Sequence, residues 1–126
     1  MSRCDGGVGR RGFTLLELLV VMAVIGILAA IAIPQFAVYR QRGFDASAAA
    51  DLRNAGAAEE ALFSTTGAYA RCRNANCEQR LPGYHRTNNV TIRMRVAGAS
   101  SFNGTATHPD GTGKVWSYDN TAGGMQ

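Results

Sequence analysis

From Gly12 the chain reads GFTLLELLVVMAVIGILAAIAI and then Pro34. Only Thr14 and Glu17 interrupt the apolar run, whose length matches the roughly 20 helical residues that cross a bilayer core about 30 Å thick. After Pro34 the pattern turns amphipathic. Phe44, Ala48, Leu52, Ala55, Ala58 and Leu62 fall on one helical stripe, with Arg42, Ala46, Arg53, Ala57 and Glu60 opposite. The helix is expected to run to about Ser64 and to stop at Ser64, Thr65, Thr66 and Gly67, with Gly67 as its C-terminal cap. Glu59 interrupts the apolar stripe. It is expected to snorkel from the stripe's edge, or else to bridge to an arginine of the globular part.

The stretch 67–89 has no clear period and is expected to be a connecting loop. Val90 to Val96 then alternates strictly, placing Val90, Ile92, Met94 and Val96 inward and Arg93 and Arg95 outward. Ser101 to His108 reads as a second strand. Lys114 to Tyr118 reads as a third, after the turn Pro109-Asp110-Gly111-Thr112-Gly113. Trp116 is expected on the helix stripe beside Phe102, and Asp119 to Gln126 as a polar tail. The fold class that follows is α+β: a long N-terminal α-helix, apolar then amphipathic, packed against a small antiparallel β-sheet that buries the one apolar stripe the helix offers.

Length and charge narrow the picture. With 126 residues there is room for one domain of modest core, and half of the net charge of +4 comes from Arg3, Arg10, Arg11 and Asp5, all ahead of Phe13. The remainder is too mild to imply a nucleic-acid partner by itself. Residues 1–12 are glycine-rich, end in a basic pair and read as a processing segment. Arg10 and Arg11 place that end in the cytoplasm and the C-terminal part outside. Of Cys4, Cys72 and Cys77, the last two stay with the soluble part. An oxidising compartment favours a disulfide between them, although a metal held with His85 or His108 is the other use of such a pair, and no second CxxC completes a zinc site. Nothing resembles a nucleophile motif or a phosphate-binding loop, and both histidines are expected at the surface. No enzyme and no cofactor are expected.

Gly12-Phe13-Thr14-Leu15-Leu16-Glu17, followed by a long apolar helix, resembles the type IV pilins and pseudopilins. The resemblance implies cleavage between Gly12 and Phe13 by a prepilin peptidase, N-methylation of the new amino terminus at Phe13, and pairing of Glu17 with the amino terminus of a neighbouring subunit. It also implies an inner-membrane precursor that an assembly machinery extracts into a helical homo-oligomeric filament, at the cell surface or spanning the periplasm. Its segments would be a cleaved leader at 1–12, a membrane and filament-core helix at 13–34, an amphipathic helix at 35–66, a loop at 67–89, and the sheet with its tail at 90–126. Gly26 and Pro34 bracket the stretch where such helices loosen once packed. Independently, an unpaired carboxylate in a bilayer helix costs about 2.5 to 3.5 kcal/mol on insertion scales. An α-amine of reference pKa roughly 7.7 to 8 is a fitting partner. The blander role for Glu17 is to complement the helix dipole, worth about 0.3 to 1 kcal/mol.

A pilus subunit is the first reading, and a pseudopilin of a type II secretion system is the alternative. A membrane-anchored extracytoplasmic binding domain, one that contacts DNA, is the reading from another class. For DNA the residues are Arg93 and Arg95, in a basic cluster with Arg71, Arg73, Arg80 and Arg86 interleaved with Tyr69 and Tyr84. A Cys72–Cys77 bridge would close only a small ring, whereas in many pilins the bridge pins the C-terminal segment. Asp110, Asp119 and Asn120 offer oxygen ligands for calcium without a dense acidic loop. Asn89-Val90-Thr91 and Asn103-Gly104-Thr105 match the glycosylation triplet weakly.

Overall fold

The computed structural model of the chain describes Gly9 and residues 12–126. Most of the expected leader, with Cys4, Arg10 and Arg11, therefore lies outside the described residues. Helix α1 (Leu15–Thr66) is followed by β1 (Cys72–Arg73), α2 (Ala75–Arg80), β2 (Thr91–Gly98), β3 (Ser101–Thr107), β4 (Trp116–Asp119) and β5 (Gly124–Met125). The chain divides into two compact units, the first ending at Phe36 and the second running from Ala37 to Gln126.

In the first unit the side chains of α1 are exposed on every side, Leu15 at 87% and Met22 at 70%. This part of α1 is long and apolar enough to cross a membrane. An all-round apolar helix with nothing packed on it in its own unit calls for lipid or other helices as solvent. Helical hydrogen bonding runs through Gly26 and across Pro34 in the single chain. Proline nonetheless leaves the Ala30 carbonyl without its usual donor.

In the second unit α1 turns amphipathic, and its buried stripe is made of small residues: Ala48, Ala55 and Ala58 around Leu52. It ends where Gly67 adopts φ +72° and donates its N–H to the Phe63 carbonyl at 2.8 Å, a left-handed cap that glycine adopts without strain. The strands form one antiparallel meander, β1-β2-β3-β4-β5, in which each strand pairs with its sequence neighbour. Val90, Ile92, Met94, Phe102 and Ala106 face inward in one cluster with the helix stripe. Gly56 and Gly104 let the two layers meet. A Cβ on Gly56 would lie 2.9 Å from Tyr118 Cζ, and one on Gly104 would lie 3.0 Å from Leu52 Cδ1.

The α+β fold of long helix and antiparallel sheet is the expected one, and the details differ in three places. The stretch 67–89 holds β1 and α2, joined by the disulfide Cys72–Cys77. Two residues of strand and six of helix are too short to leave a period in the sequence. The tail does not trail off, because Gly124–Met125 adds a fifth strand beside β4 and the Gln126 N–H reaches the Ser117 carbonyl at 2.8 Å. Trp116 is half-buried against the core, with Lys114 Nζ 3.6 Å above its ring. The ring neighbours of Phe102 are instead Tyr69 at 4.7 Å and Tyr118 at 5.5 Å between centroids.

Candidate functional site

Gly12, Phe13 and Thr14 precede α1 without regular structure, and Phe13 is 84% exposed. A peptide bond in such a segment is open to a protease without unwinding a helix. The helix then starts on a reciprocal cap. The Glu17 N–H donates to Thr14 Oγ1 at 3.2 Å, while Glu17 Oε2 accepts the Thr14 N–H at 2.8 Å and its hydroxyl at 3.1 Å. This is a capping box, in which a Thr and a Glu three residues on satisfy each other's backbone donors. The pattern T-x-x-E stands in the sequence at the start of the apolar run, so this second role of Glu17 was legible there. Among the described residues Glu17 Oε1 has no donor, and from Gly12 to Tyr39 Glu17 is the only charged side chain. The arrangement holds a carboxylate beside Phe13 and Leu16 with one oxygen fixed and the other free to accept a cation.

Gly26 has open space on its Cα side, since an added Cβ would meet nothing within 4 Å. A neighbouring helix can therefore approach closely there. Cys72 and Cys77, both buried, are bonded to each other and fasten α2 to β1. Arg93 and Arg95 point outward from β2, and Arg71, Arg73 and Arg80 line the same open groove of about 730 Å³. Arg86 leaves this cluster. Its Nη1 donates to the Val90 carbonyl at 2.6 Å and its Nε is buried without an acceptor. The two tyrosines expected between the arginines are not on that face. Tyr84 is buried, and Tyr69 stacks on Phe63 at 4.4 Å. Burial, with Asp51 nearby, pushes the Tyr84 hydroxyl above its ordinary range, so it stays neutral.

Three further residues depart from expectation. Glu59 neither snorkels nor meets an arginine: it is fully buried, Oε2 accepts the Ala70 N–H at 2.8 Å, and Oε1 has no partner. It caps the connector from inside. His108, expected at the surface, is buried and stacked on Phe44 at 4.4 Å, with Nδ1 accepting the Asp110 N–H at 3.1 Å. His108 has the parity of Phe102, Gly104 and Ala106, all buried, so the alternation of the expected strand carried the signal that this histidine faces the core. Asp119 is committed to its own turn. The Thr121 hydroxyl and N–H hold its carboxyl below the usual range, and Asn120 Oδ1 accepts the Phe102 N–H. Among the described residues no group of three or more His, Cys, Asp or Glu gathers for a metal.

Sequence reasoning missed two buried helix carboxylates. Asp51 accepts the Thr87 N–H at 2.7 Å and its hydroxyl at 2.9 Å, and Asp45 accepts the same pair of donors from Thr112. Each clasps a loop to α1 in place of a salt bridge. The only signal was their place flanking the apolar stripe.

Burial raises the pKa of Glu59; the Ala70 N–H opposes this, and nearby Glu60 adds to it. A carboxyl whose folded pKa is raised gives stability that is complete below its unfolded pKa of about 4.3 and lost as pH rises through the folded value. Glu59→Gln keeps the acceptor and removes the charge. The variant should therefore gain on the parent chain as pH rises from 4 to 8 in urea unfolding. A difference that stays constant with pH would show that Glu59 is not the buried titrating group.

Residues 8–33 match the family model described as the prokaryotic N-terminal methylation motif. The chain is 36% identical over 106 residues to the type IV wide pilus major component PilA4 of Thermus thermophilus, covering 84% of this chain and 78% of that one. It is 45% identical over 60 residues to the type IV major pilin protein PilA of Myxococcus xanthus, covering 48% of this chain and 27% of that one. Against a fimbrial protein of Pseudomonas aeruginosa it is 64% identical over 33 residues, 26% of this chain and 21% of the relative. The chain thus spans about a quarter of the Myxococcus protein and over three quarters of the Thermus protein.

Proposed function

With the chain a member of the type IV pilin family, we propose that it is a structural subunit of a type IV pilus-like filament. In this reading it is made as a prepilin, cut between Gly12 and Phe13 by a prepilin peptidase, N-methylated at Phe13 and polymerised through the apolar part of α1. The observation that carries the reading is the placement of Glu17. It is the one charge in an exposed apolar helix, four residues from the amine that cleavage would create. A charged group in such a run is costly unless paired, and in this reading the Phe13 amine of a neighbouring copy supplies the partner. The same helix would hold the precursor in the inner membrane until the assembly machinery draws it out. The relatives named as major pilins favour a pilus subunit over a secretion pseudopilin.

The test is the intact mass of the protein extracted from membranes. A chain that starts at methylated Phe13 is expected. A chain that starts at Met1 in cells with an active prepilin peptidase would sink the proposal and leave α1 as a plain anchor.

A further inference from the structure

The strongest unexplained feature of the second unit is its arginine face. Arg73 of β1 sits directly across from Arg93 of β2, and Arg95 lies one pleat further along on the same outward side. Like charges placed opposite each other in a sheet repel. Here nothing relieves them, because among the described residues no arginine lies within ion-pairing distance of a carboxylate. Arg80 is drawn into the same groove by α2, its Nη1 donating to the Arg71 carbonyl at 3.3 Å, and the Cys72–Cys77 bond fixes that helix to β1. Five guanidinium groups are thus gathered on a braced scaffold.

A second copy of the chain has little to offer these arginines. Its Asp45, Asp51 and Glu59 are buried and Asp119 closes its own turn, which leaves Glu60, Glu78 and Asp110 at the surface of this unit, and among the described residues no group of three carboxylates gathers to face five arginines. The partner must bring its own anions. Stacked nucleobases are a poor fit, because single-strand binding relies on exposed aromatic faces and the groove has none among its lining residues. Next to the arginines the same face continues into a second depression shared by Arg73, Arg93 and Arg95, where Thr91, Asn103 and Thr105 project. Hydroxyl and amide groups both donate and accept hydrogen bonds. A phosphodiester backbone presents only acceptors, whereas a sugar acid presents carboxylates for the guanidinium forks and hydroxyl donors for the Asn103 carbonyl.

We propose that the outward face of β1, β2 and β3 binds an extended acidic polysaccharide, with Arg73, Arg80, Arg93 and Arg95 holding its carboxylates and Asn103 and Thr105 its hydroxyls. The site belongs to a single chain. If the filament reading also holds, copies along the filament multiply a weak individual site into strong retention of a long polymer.

The experiment uses the intact chain in neutral detergent, where no filament exists, on immobilised polyuronate, neutral dextran and duplex DNA at about 50 mM salt. Retention on polyuronate and none on dextran is expected. Arg93→Gln with Arg95→Gln should weaken it roughly tenfold or more, as should Arg73→Gln with Arg80→Gln, since each pair removes charge-assisted hydrogen bonds. Asn103→Ala with Thr105→Ala should weaken polyuronate and leave DNA unchanged. An unaltered urea midpoint identifies the pairs that keep the fold, and the readout is taken from those. Absent retention of the parent chain, retention indifferent to the arginines, or tighter binding of DNA than of polyuronate overturns the proposal. A chain that binds polyuronate in detergent yet forms no filaments in cells would count against the filament reading alone.

Discussion

Glu17→Gln is expected to be inserted and cleaved normally and to yield no filaments. The capping box separates two roles that a simple deletion would confuse. Glutamine at this position still accepts the Thr14 N–H, as in any S/T-x-x-Q cap, so the start of α1 survives. What it loses is the negative charge. If Glu17 serves chiefly as a cap, Glu17→Gln should assemble, and Thr14→Ala, which removes the cap, should be the damaging change at about 0.5 to 2 kcal/mol. If Glu17 serves as counter-ion to a neighbour's Phe13 amine, the outcomes reverse. The amine of reference pKa about 7.7 to 8 is then left charged among apolar side chains, and one uncompensated charge removes more than the cap provided. The measurement is immunoblotting of sheared surface filaments beside the cleaved membrane pool. Normal filaments from Glu17→Gln would falsify the charge pair.

Phe102→Ala should cost the second unit about 3 to 5 kcal/mol, the usual penalty for emptying a buried phenylalanine site. Phe102 is 1% exposed, its ring is flanked by Tyr69 and Tyr118, and its N–H is held by Asn120. It therefore joins the connector, the central strand and β4 in one contact. A small domain has a total of about 5 to 15 kcal/mol to lose, so the variant should be near the edge of folding. Urea unfolding of the intact chain in detergent, followed by the fluorescence of Trp116, the one tryptophan, reads the change directly. A loss below about 1 kcal/mol, the size of an average substitution, would mean that Phe102 is not the keystone its packing implies.

The parts of this molecule that the sequence made legible are those governed by a period. The apolar run announces its helix and Glu17 its oddity. The alternation from Val90 to Val96 sorts Ile92 and Met94 inward and Arg93 and Arg95 outward, as observed. What was not legible depends on partners distant in sequence. Asp51 meets Thr87 and Asp45 meets Thr112 across separations of 36 and 67 residues, and no local pattern marks an aspartate as a clasp rather than a solvated charge. Glu59 was misjudged for the same reason, since its hydrogen bond comes from Ala70, beyond the cap that ends the helix. The tyrosines near the arginines in sequence are on other faces in space, which changes the kind of ligand the arginine groove suits.

The meander ends at both margins in strands of only two residues, β1 and β5. A long open margin is a template on which a second sheet can grow, and crowding raises the risk. Here a visiting strand would find almost no ladder to extend, and at β1 it would also meet Arg73. In the filament proposed above, the unit could thus be repeated at high density with little ladder for cross-β growth, its neighbours meeting through side chains and helices instead.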